Sequence, residues 1–280
     1  MLLADKPAGV TSHDVVLAAR RATGERRIGH AGTLDPFATG LLVLLLGRAT
    51  RLLPYMSGEP KEYLATIRFG AETDTEDRDG AVTRTAPLPD EAAVRAAIPR
   101  LTGDIDQVPP AYSAKRVGGR RAYEAARAGE ALALEPVRVR VHEWRVLGWR
   151  GDEMDVAIVC GGGTYIRSLA RDLGRLLGSA AHLIALRRTR SGPFRVEDAD
   201  PLDRIRAGEA RLQPPLVALA GAPVQPLDEA EVARVARGID VEARVAGERG
   251  ALVAAESGAL VALAERRGDR WQPRVVMRRV

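Results

Sequence analysis

The sequence is poor in several residues on which protein chemistry often rests. Cysteine occurs once, at Cys160, which excludes an intramolecular disulfide and fits a reducing compartment. Histidine occurs only at positions 13, 30, 142 and 182, with no HExxH spacing and no Cys/His cluster, so no metal site is expected. Lysine is confined to positions 6, 61 and 115, and arginine carries nearly all of the positive charge. No apolar run approaches the ~18 residues of a membrane span, and residues 1–10 hold no long apolar signal segment. A soluble, cytoplasmic protein without a membrane partner is expected. Solenoid repeats and low-complexity tails are absent, and no glycine-rich turn is followed by Gly-Lys-Ser/Thr, which excludes a nucleotide-type phosphate loop.

What is present is enough apolar residue, 46% of 280 positions, for one large domain plus a small one. The formal charge of +5 suggests a polyanionic partner. Arginine suits bidentate phosphate contacts and base stacking; genome composition accounts for the bias equally well.

One stretch organises the chain: Gly29-His30-Ala31-Gly32-Thr33-Leu34-Asp35-Pro36-Phe37-Ala38-Thr39-Gly40. It sets a single carboxylate, Asp35, among glycines and directly before a proline, so the backbone there is biased to turn or extended geometry. The apolar run 41–46 follows as a buried strand and anchors the loop. Ahead of it, 2–4 reads as a strand and Ser12 as the cap of a helix that ends at Gly24. Behind it, Tyr63, Ala65, Ile67 and Phe69 alternate with polar residues over a strand at 61–69. The acidic segment 73–80 resembles a calcium loop, but a register from Thr75 lacks the first Asp and puts Ala86 where a bidentate Glu belongs. It reads either as a solvated turn or as a loop touching the groove of a helical partner.

Asp90 is expected to cap a helix that Pro99 shortens. Residues 111–136 interleave Lys115, Arg116, Arg120, Arg121 and Arg127 with Tyr112, Tyr123 and Gly118-Gly119. That mixture suits a nucleic-acid clamp as well as an ordinary solvated helix and loop. Strands are expected at 137–149 and 153–160. Gly161-Gly162-Gly163 then opens a helix capped by Thr164, a strand-to-helix turn of the kind that binds anions. Arg167 falls in its first turn, where the helix dipole favours anions, so a carboxylate partner would explain it. Short glycine-punctuated strands at 251–256, 259–265 and 271–280 suggest a small β-barrel-like module.

From the residues alone, Asp35, His30, Tyr63, Tyr165 and Arg167 form the candidate set. A lone Asp after glycine is more often a turn residue, a lone Tyr on a strand a core residue, and a lone Arg a solvated one. Without a metal set, a nucleotide loop or a Ser-His-Asp set, cofactor-free chemistry by one carboxylate on a nucleic acid fits best.

The stretch 29–40 with Gly47-Arg48-Ala49-Thr50 resembles the catalytic motif of the TruB family of pseudouridine synthases, which convert uridine 55 in the T loop of transfer RNAs to pseudouridine. The likeness extends through 3–9, Thr73-Asp74-Thr75, Gly103-Asp104-Ile105, 110–115 and Gly163-Thr164-Tyr165-Ile166-Arg167, in family order. It implies an α+β pseudouridine synthase fold: a mixed, largely antiparallel central sheet flanked by helices and loops. A small PUA-like β-barrel domain would close the chain. The implied catalytic domain spans 1–212, with a mobile thumb at about 111–136, and the implied RNA-binding domain spans 222–280.

By position, the resemblance makes Asp35 the nucleophile, Tyr63 the tyrosine that stacks on the uracil and helps move a proton, and Arg167 the partner of the nucleophile. His30 would hold or displace the flipped nucleotide, Tyr165 and Leu186 would line the pocket, and Lys6 and Asp77 would support the site and the RNA contact. The thumb residues Lys115, Arg116, Arg120, Arg121 and Arg127 would bind RNA. Ala31, where the family commonly has threonine, departs from the pattern, as does a short C-terminal module. The implied protein is a monomer that needs no cofactor and binds the T arm of transfer RNA. The competing readings are a synthase acting on another RNA and a non-catalytic RNA-binding or RNA-folding factor.

Overall fold

The computed structural model describes residues 1–56, 58–113, 116–117, 120–121 and 134–277, with side chains undescribed at 116–117 and 120–121. In chain order the elements are β1 (Leu2–Lys6), α1 (Ser12–Thr23), β2 (Ile28–His30), β3 (Thr39–Leu46), β4 (Lys61–Phe69), β5 (Ala71–Thr73), β6 (Val82–Thr85) and α2 (Glu91–Ala97). Then follow β7 (Gly103–Gln107), β8 (Arg116–Val117), β9 (Arg120–Arg121), β10 (Val137–Arg150), β11 (Glu153–Cys160), α3 (Ile166–Leu176), β12 (Ala181–Ser191) and β13 (Phe194–Arg195). The last are β14 (Asp200–Pro201), α4 (Leu202–Arg206), β15 (Val224–Leu227), α5 (Glu229–Ala236), β16 (Val241–Glu242), β17 (Arg249–Ala254), β18 (Leu260–Arg267) and β19 (Arg270–Val276). Two compact units divide them: residues 1–34, 42–58 and 198–280 form the first, and 35–41 and 59–197 the second.

In the first unit, β1 pairs in parallel with β14 and β2 pairs antiparallel with β3. Leu2, Ala4, Val15, Val16, Ala19, Leu42, Leu44, Leu202 and Ile205 bury one another there. The spacing of Val15, Val16 and Ala19 puts one face of α1 on that core. Thr11, not Ser12, caps α1: its hydroxyl accepts the Asp14 N–H while Asp14 accepts the Thr11 N–H, a reciprocal capping box. Ser12 instead turns inward, its Oγ accepting from the Leu34 N–H at 2.9 Å and donating to the Leu34 carbonyl at 3.0 Å. Gly24 ends the helix in the left-handed region, as expected.

The C-terminal module of this unit is a sheet ordered β15-β17-β18-β19-β16. Trp271, fully buried, packs there with Leu227, Val235, Leu252 and Val261. Its indole N–H donates to Gln225 Oε1 at 2.8 Å, which satisfies the one polar atom the ring buries.

In the second unit, strands run in the order β3-β12-β4-β11-β10-β7. All pairs are antiparallel except β3 with β12, matched at Thr39–Arg187 and Gly40–Arg188. β4 spans the expected 61–69 and buries Tyr63, Ala65, Ile67 and Phe69 by alternation. Pro99 cuts the helix after Asp90 short, as expected: α2 stops at Ala97 and a 3-10 turn takes Ile98–Leu101. α3 buries Ile166, Leu169, Ala170 and Leu173 on one face. Thr164 does not cap it: the cap position is Tyr165, and Thr164 Oγ1 donates back to the Gly161 carbonyl at 3.0 Å.

Candidate active site

The carboxylate of Asp35 sits on a turn closed by the Ala38 N–H on its own carbonyl at 3.1 Å. Phe37 and Ala38 are buried beside it, so the turn is held by apolar anchors. Gly40 is required next. Its φ is +100°, and a Cβ there would lie 2.3 Å from the Arg188 carbonyl oxygen. Only glycine lets β3 approach β12 at that point.

α3 delivers the counter-charge. Arg167 Nη2 donates to Asp35 Oδ1 at 2.9 Å; the arginine side chain is 4% exposed and the carboxylate 32%. The same guanidinium donates to the Tyr112 carbonyl at 2.9 Å and the Thr75 carbonyl at 2.7 Å, and lies 3.8 Å from Asp77 Oδ2. A cation in the first turn of a helix opposes the dipole, and two carboxylates and two carbonyls offset that cost. The fork geometry of arginine is what allows four acceptors around one group.

The acidic segment after β5 is only partly solvated: Asp74, Arg78 and Asp79 are exposed, while its centre packs inward. Asp77 is buried, accepting from Thr75 Oγ1 at 2.6 Å and from the Asp79 N–H at 3.1 Å. Burial pushes its pKa up, with the Thr75 bond and Arg167 acting the other way. Glu76 has a φ of +62°, uncommon for a side-chain-bearing residue, and its carboxylate takes bonds from Ser168 and Arg171. One turn further along α3, Arg175 holds Glu72 at 2.7 Å. Arg167, Arg171 and Arg175 thus form one helix stripe, spaced four apart, that grips β5 and the loop after it by three successive turns.

Tyr63 enters from β4, 7% exposed. It pairs across the sheet with Arg188 of β12 and Ile158 of β11. Leu186, buried on β12, pairs with Ala65. Tyr165 is half-buried, and the buried Gln107 side chain both accepts its N–H at 2.8 Å and donates to its carbonyl at 3.0 Å. Of the expected residues, Asp35, Arg167 and Asp77 are therefore joined directly, while Tyr63, Tyr165 and Leu186 are placed by their strands and helix start in the same unit.

Lys6 and His30 belong to the first unit. Lys6 is fully buried at the end of β1, its Nζ donating to the carbonyls of Pro7 at 2.9 Å and Val10 at 2.7 Å. His30 ends β2 opposite Leu44. Lys115 and Arg127 lie outside the described residues, and of Arg116, Arg120 and Arg121 only the backbone is described, as the short pair β8 and β9. The Gly161–Gly163 turn does hold an anion, but one from its own chain: the Gly162 N–H donates to Glu59 Oε1 at 2.7 Å.

Arg171, Glu76, Gln107 and Arg188 are the residues that sequence reasoning missed. Only Arg171 left a signal, since it falls four after Arg167; nothing local marks Glu76 as its partner. No metal-holding cluster of His, Cys, Asp or Glu occurs among the described residues, and no described helix is long and apolar enough to cross a membrane.

The described residues thus join a part-exposed carboxylate to a buried arginine, on a mixed sheet that also buries a tyrosine. The comparisons with known proteins identify the family. The model of the TruB family pseudouridylate synthase N-terminal domain matches residues 20–166, and that of the tRNA pseudouridylate synthase B C-terminal domain matches 167–217. The tRNA pseudouridine synthase B of Thermobifida fusca (strain YX) is 48% identical over 288 residues, covering 99% of this chain and 97% of that protein. The enzyme of the same name from Nocardia farcinica (strain IFM 10152) is 45% identical, covering 99% and 93%. A crystal structure of a Cbf5-Nop10-Gar1 complex aligns at a TM-score of 0.72 with 25% identity, over 99% of this chain and 85% of that one. The chain belongs to the TruB family of pseudouridine synthases. It has the α+β fold of that family, with a PUA-like module at its C-terminus.

Proposed function

We propose that the chain isomerises uridine 55 in the T loop of transfer RNA to pseudouridine, with Asp35 opening the reaction. The observation that carries this is the 2.9 Å pair between the buried Arg167 and Asp35; a pure RNA binder has no use for a carboxylate so held. The relatives named above support the substrate class, and the T-loop position is what the resemblance to the family implies.

The uracil must be detached from C1′, turned and rejoined through C5, so it has to leave the stack first. Asp35 can attack C1′ or C6, or draw a proton from C2′ to give a glycal. Arg167 aims the carboxylate through either, by the bond from its Nη2. Tyr63 offers an aromatic face worth roughly 1–3 kcal/mol of stacking, and its hydroxyl helps move the proton that C5 must lose. His30, Tyr165 and Leu186 shape the pocket for the flipped nucleotide, and Lys6 and Asp77 support it. Lys115, Arg116, Arg120, Arg121 and Arg127 contact RNA from the insert at about 111–136. We take 1–212 as the catalytic part and 222–280 as the RNA-binding part. The sheet that begins at Val224 supports the start of the second part. We take the enzyme to act as a cytoplasmic monomer; the isomerisation as written, with Asp35, Tyr63 and protons exchanged with water, calls for no cofactor.

The test incubates the protein with unmodified transfer RNA and maps pseudouridine at nucleotide resolution. Modification at the T-loop uridine is expected, lost in Asp35→Asn while RNA binding is retained. Undiminished activity in Asp35→Asn overturns the assignment.

A further inference from the structure

A second buried arginine approaches the site from the opposite side of the sheet pairing. Arg188 is 1% exposed and stands directly across from Tyr63, so the two side chains rise on one face of the sheet. Its Nε donates to the Leu41 carbonyl at 2.8 Å, and the forced glycine at 40 keeps β3 against its backbone. The side chain is therefore held at its Nε and at its backbone, beside Tyr63, on whose oxygen its charge and N–H donors act.

Other charged or titratable groups act here. Asp35 and Cys160 of β11 both oppose negative charge on the Tyr63 oxygen, and burial opposes it more strongly still, so the phenol sits above its ordinary pKa. Lys61, two residues earlier on β4, acts on Cys160 and on Arg188. Among the groups that act on Tyr63, Arg188 is the one that favours the phenolate, by charge and by its hydrogen bond.

The isomerisation breaks N1–C1′ and forms C5–C1′, so C5 loses a proton and N1 gains one. We propose that Arg188 is the positioning residue of Tyr63: it fixes the phenol oxygen and stabilises the phenolate that takes the C5 proton. The resulting phenol passes that proton to water, N1 takes one from water, and atoms and electrons balance. This rests on reading Tyr63 as the residue that moves the C5 proton.

The test compares the intact wild type with Arg188→Lys and two neutral variants, Arg188→Gln and Arg188→Met, so that a single unsatisfied amide does not decide folding. Single-turnover rates on unmodified transfer RNA are measured across pH. The Tyr63 phenol is titrated by NMR in protein carrying 13C at the tyrosine ζ carbon, assigned with Tyr63→Phe. The neutral variants are expected to bind RNA as the wild type does. They should react slower by about tenfold for each unit that the phenol pKa rises. All rates should climb with pH in parallel, because the phenol titrates above the assayed range in every variant, and 3-fluorotyrosine, whose phenol is more acidic, restores part of the deficit. Arg188→Lys retains most of the rate. Rates that do not climb with pH, a deficit untouched by fluorotyrosine, or an unmoved Tyr63 titration overturn the proposal. An unchanged rate in Tyr63→Phe removes the proton role of Tyr63 instead, and the titration still reports whether Arg188 governs the phenol.

Discussion

Asp35 and Arg167 lie 132 positions apart, and the cost of separating them is unequal on the two sides. Arg167 is buried with Asp77 also beside it, so truncating the arginine strands a buried carboxylate. Breaking a buried pair this way costs about 3–5 kcal/mol. Asp35 is a third exposed and water can take over its role toward Arg167, so Asp35→Asn is expected to cost under about 1 kcal/mol. Urea unfolding of Arg167→Ala and Asp35→Asn distinguishes the two, and a larger loss in the asparagine variant contradicts this geometry. Cys160 makes a second residue-scale case. Burial pushes its thiol up to about 11, so the thiolate that reacts with disulfide reagents is scarce at pH 8. Native protein is expected to resist such a reagent and to react promptly once unfolded in denaturant. Prompt native reaction would show that β11 opens far more readily than its burial implies.

At the scale of elements, α3 and the loop it grips behave as one body. Burial raises the Glu76 pKa above the ordinary 4.5, with Arg171 and Ser168 only partly offsetting it. A carboxyl raised in the folded state favours folding while both states are protonated. That contribution is lost as pH rises from 4.5 through the higher folded value. Glu76→Gln removes this dependence, so its stability relative to wild type should improve between pH 4 and 7, read from urea midpoints at each pH. A difference that moves the other way would mean that the Arg171 pair outweighs desolvation.

Elements also show where the sequence was readable. β4 was legible to the residue because Tyr63, Ala65, Ile67 and Phe69 alternate and nothing else competes. β12 was hidden because Arg187, Arg188 and Arg190 interrupt its apolar residues and its buried positions do not alternate, the pairing with β4 being shifted twice. Helix starts misled where a hydroxyl had a better partner: Ser12 bonds Leu34 and Thr164 bonds Gly161, although the Thr11–Asp14 box was in plain view. The hold of Arg171 on Glu76, 95 positions away, leaves no local trace at all.

For the whole molecule, the arginine excess looks different once the pairs are known. Arg138 and Arg140 face Asp106 and Asp104, Arg190 faces Glu62, Arg244 faces Glu231 and Arg270 faces Asp240. Exposed pairs like the first two contribute about 0–1 kcal/mol each to stability, so their effect is chiefly to neutralise. A net charge of +5 therefore understates how selectively the remaining cations must be used on RNA. If the insert at 111–136 is the RNA clamp, neutralising Arg120 and Arg121 weakens the hold on phosphate without touching Asp35. Each arginine–phosphate pair removed should flatten the slope of log affinity against log salt by about 1, leaving the bound-state rate unchanged. Neutralising Arg138 and Arg140, already matched by aspartates, should leave that slope alone. Filter binding of transfer RNA across a salt series measures both, and an unchanged slope in the Arg120 and Arg121 variant places the RNA elsewhere on the protein.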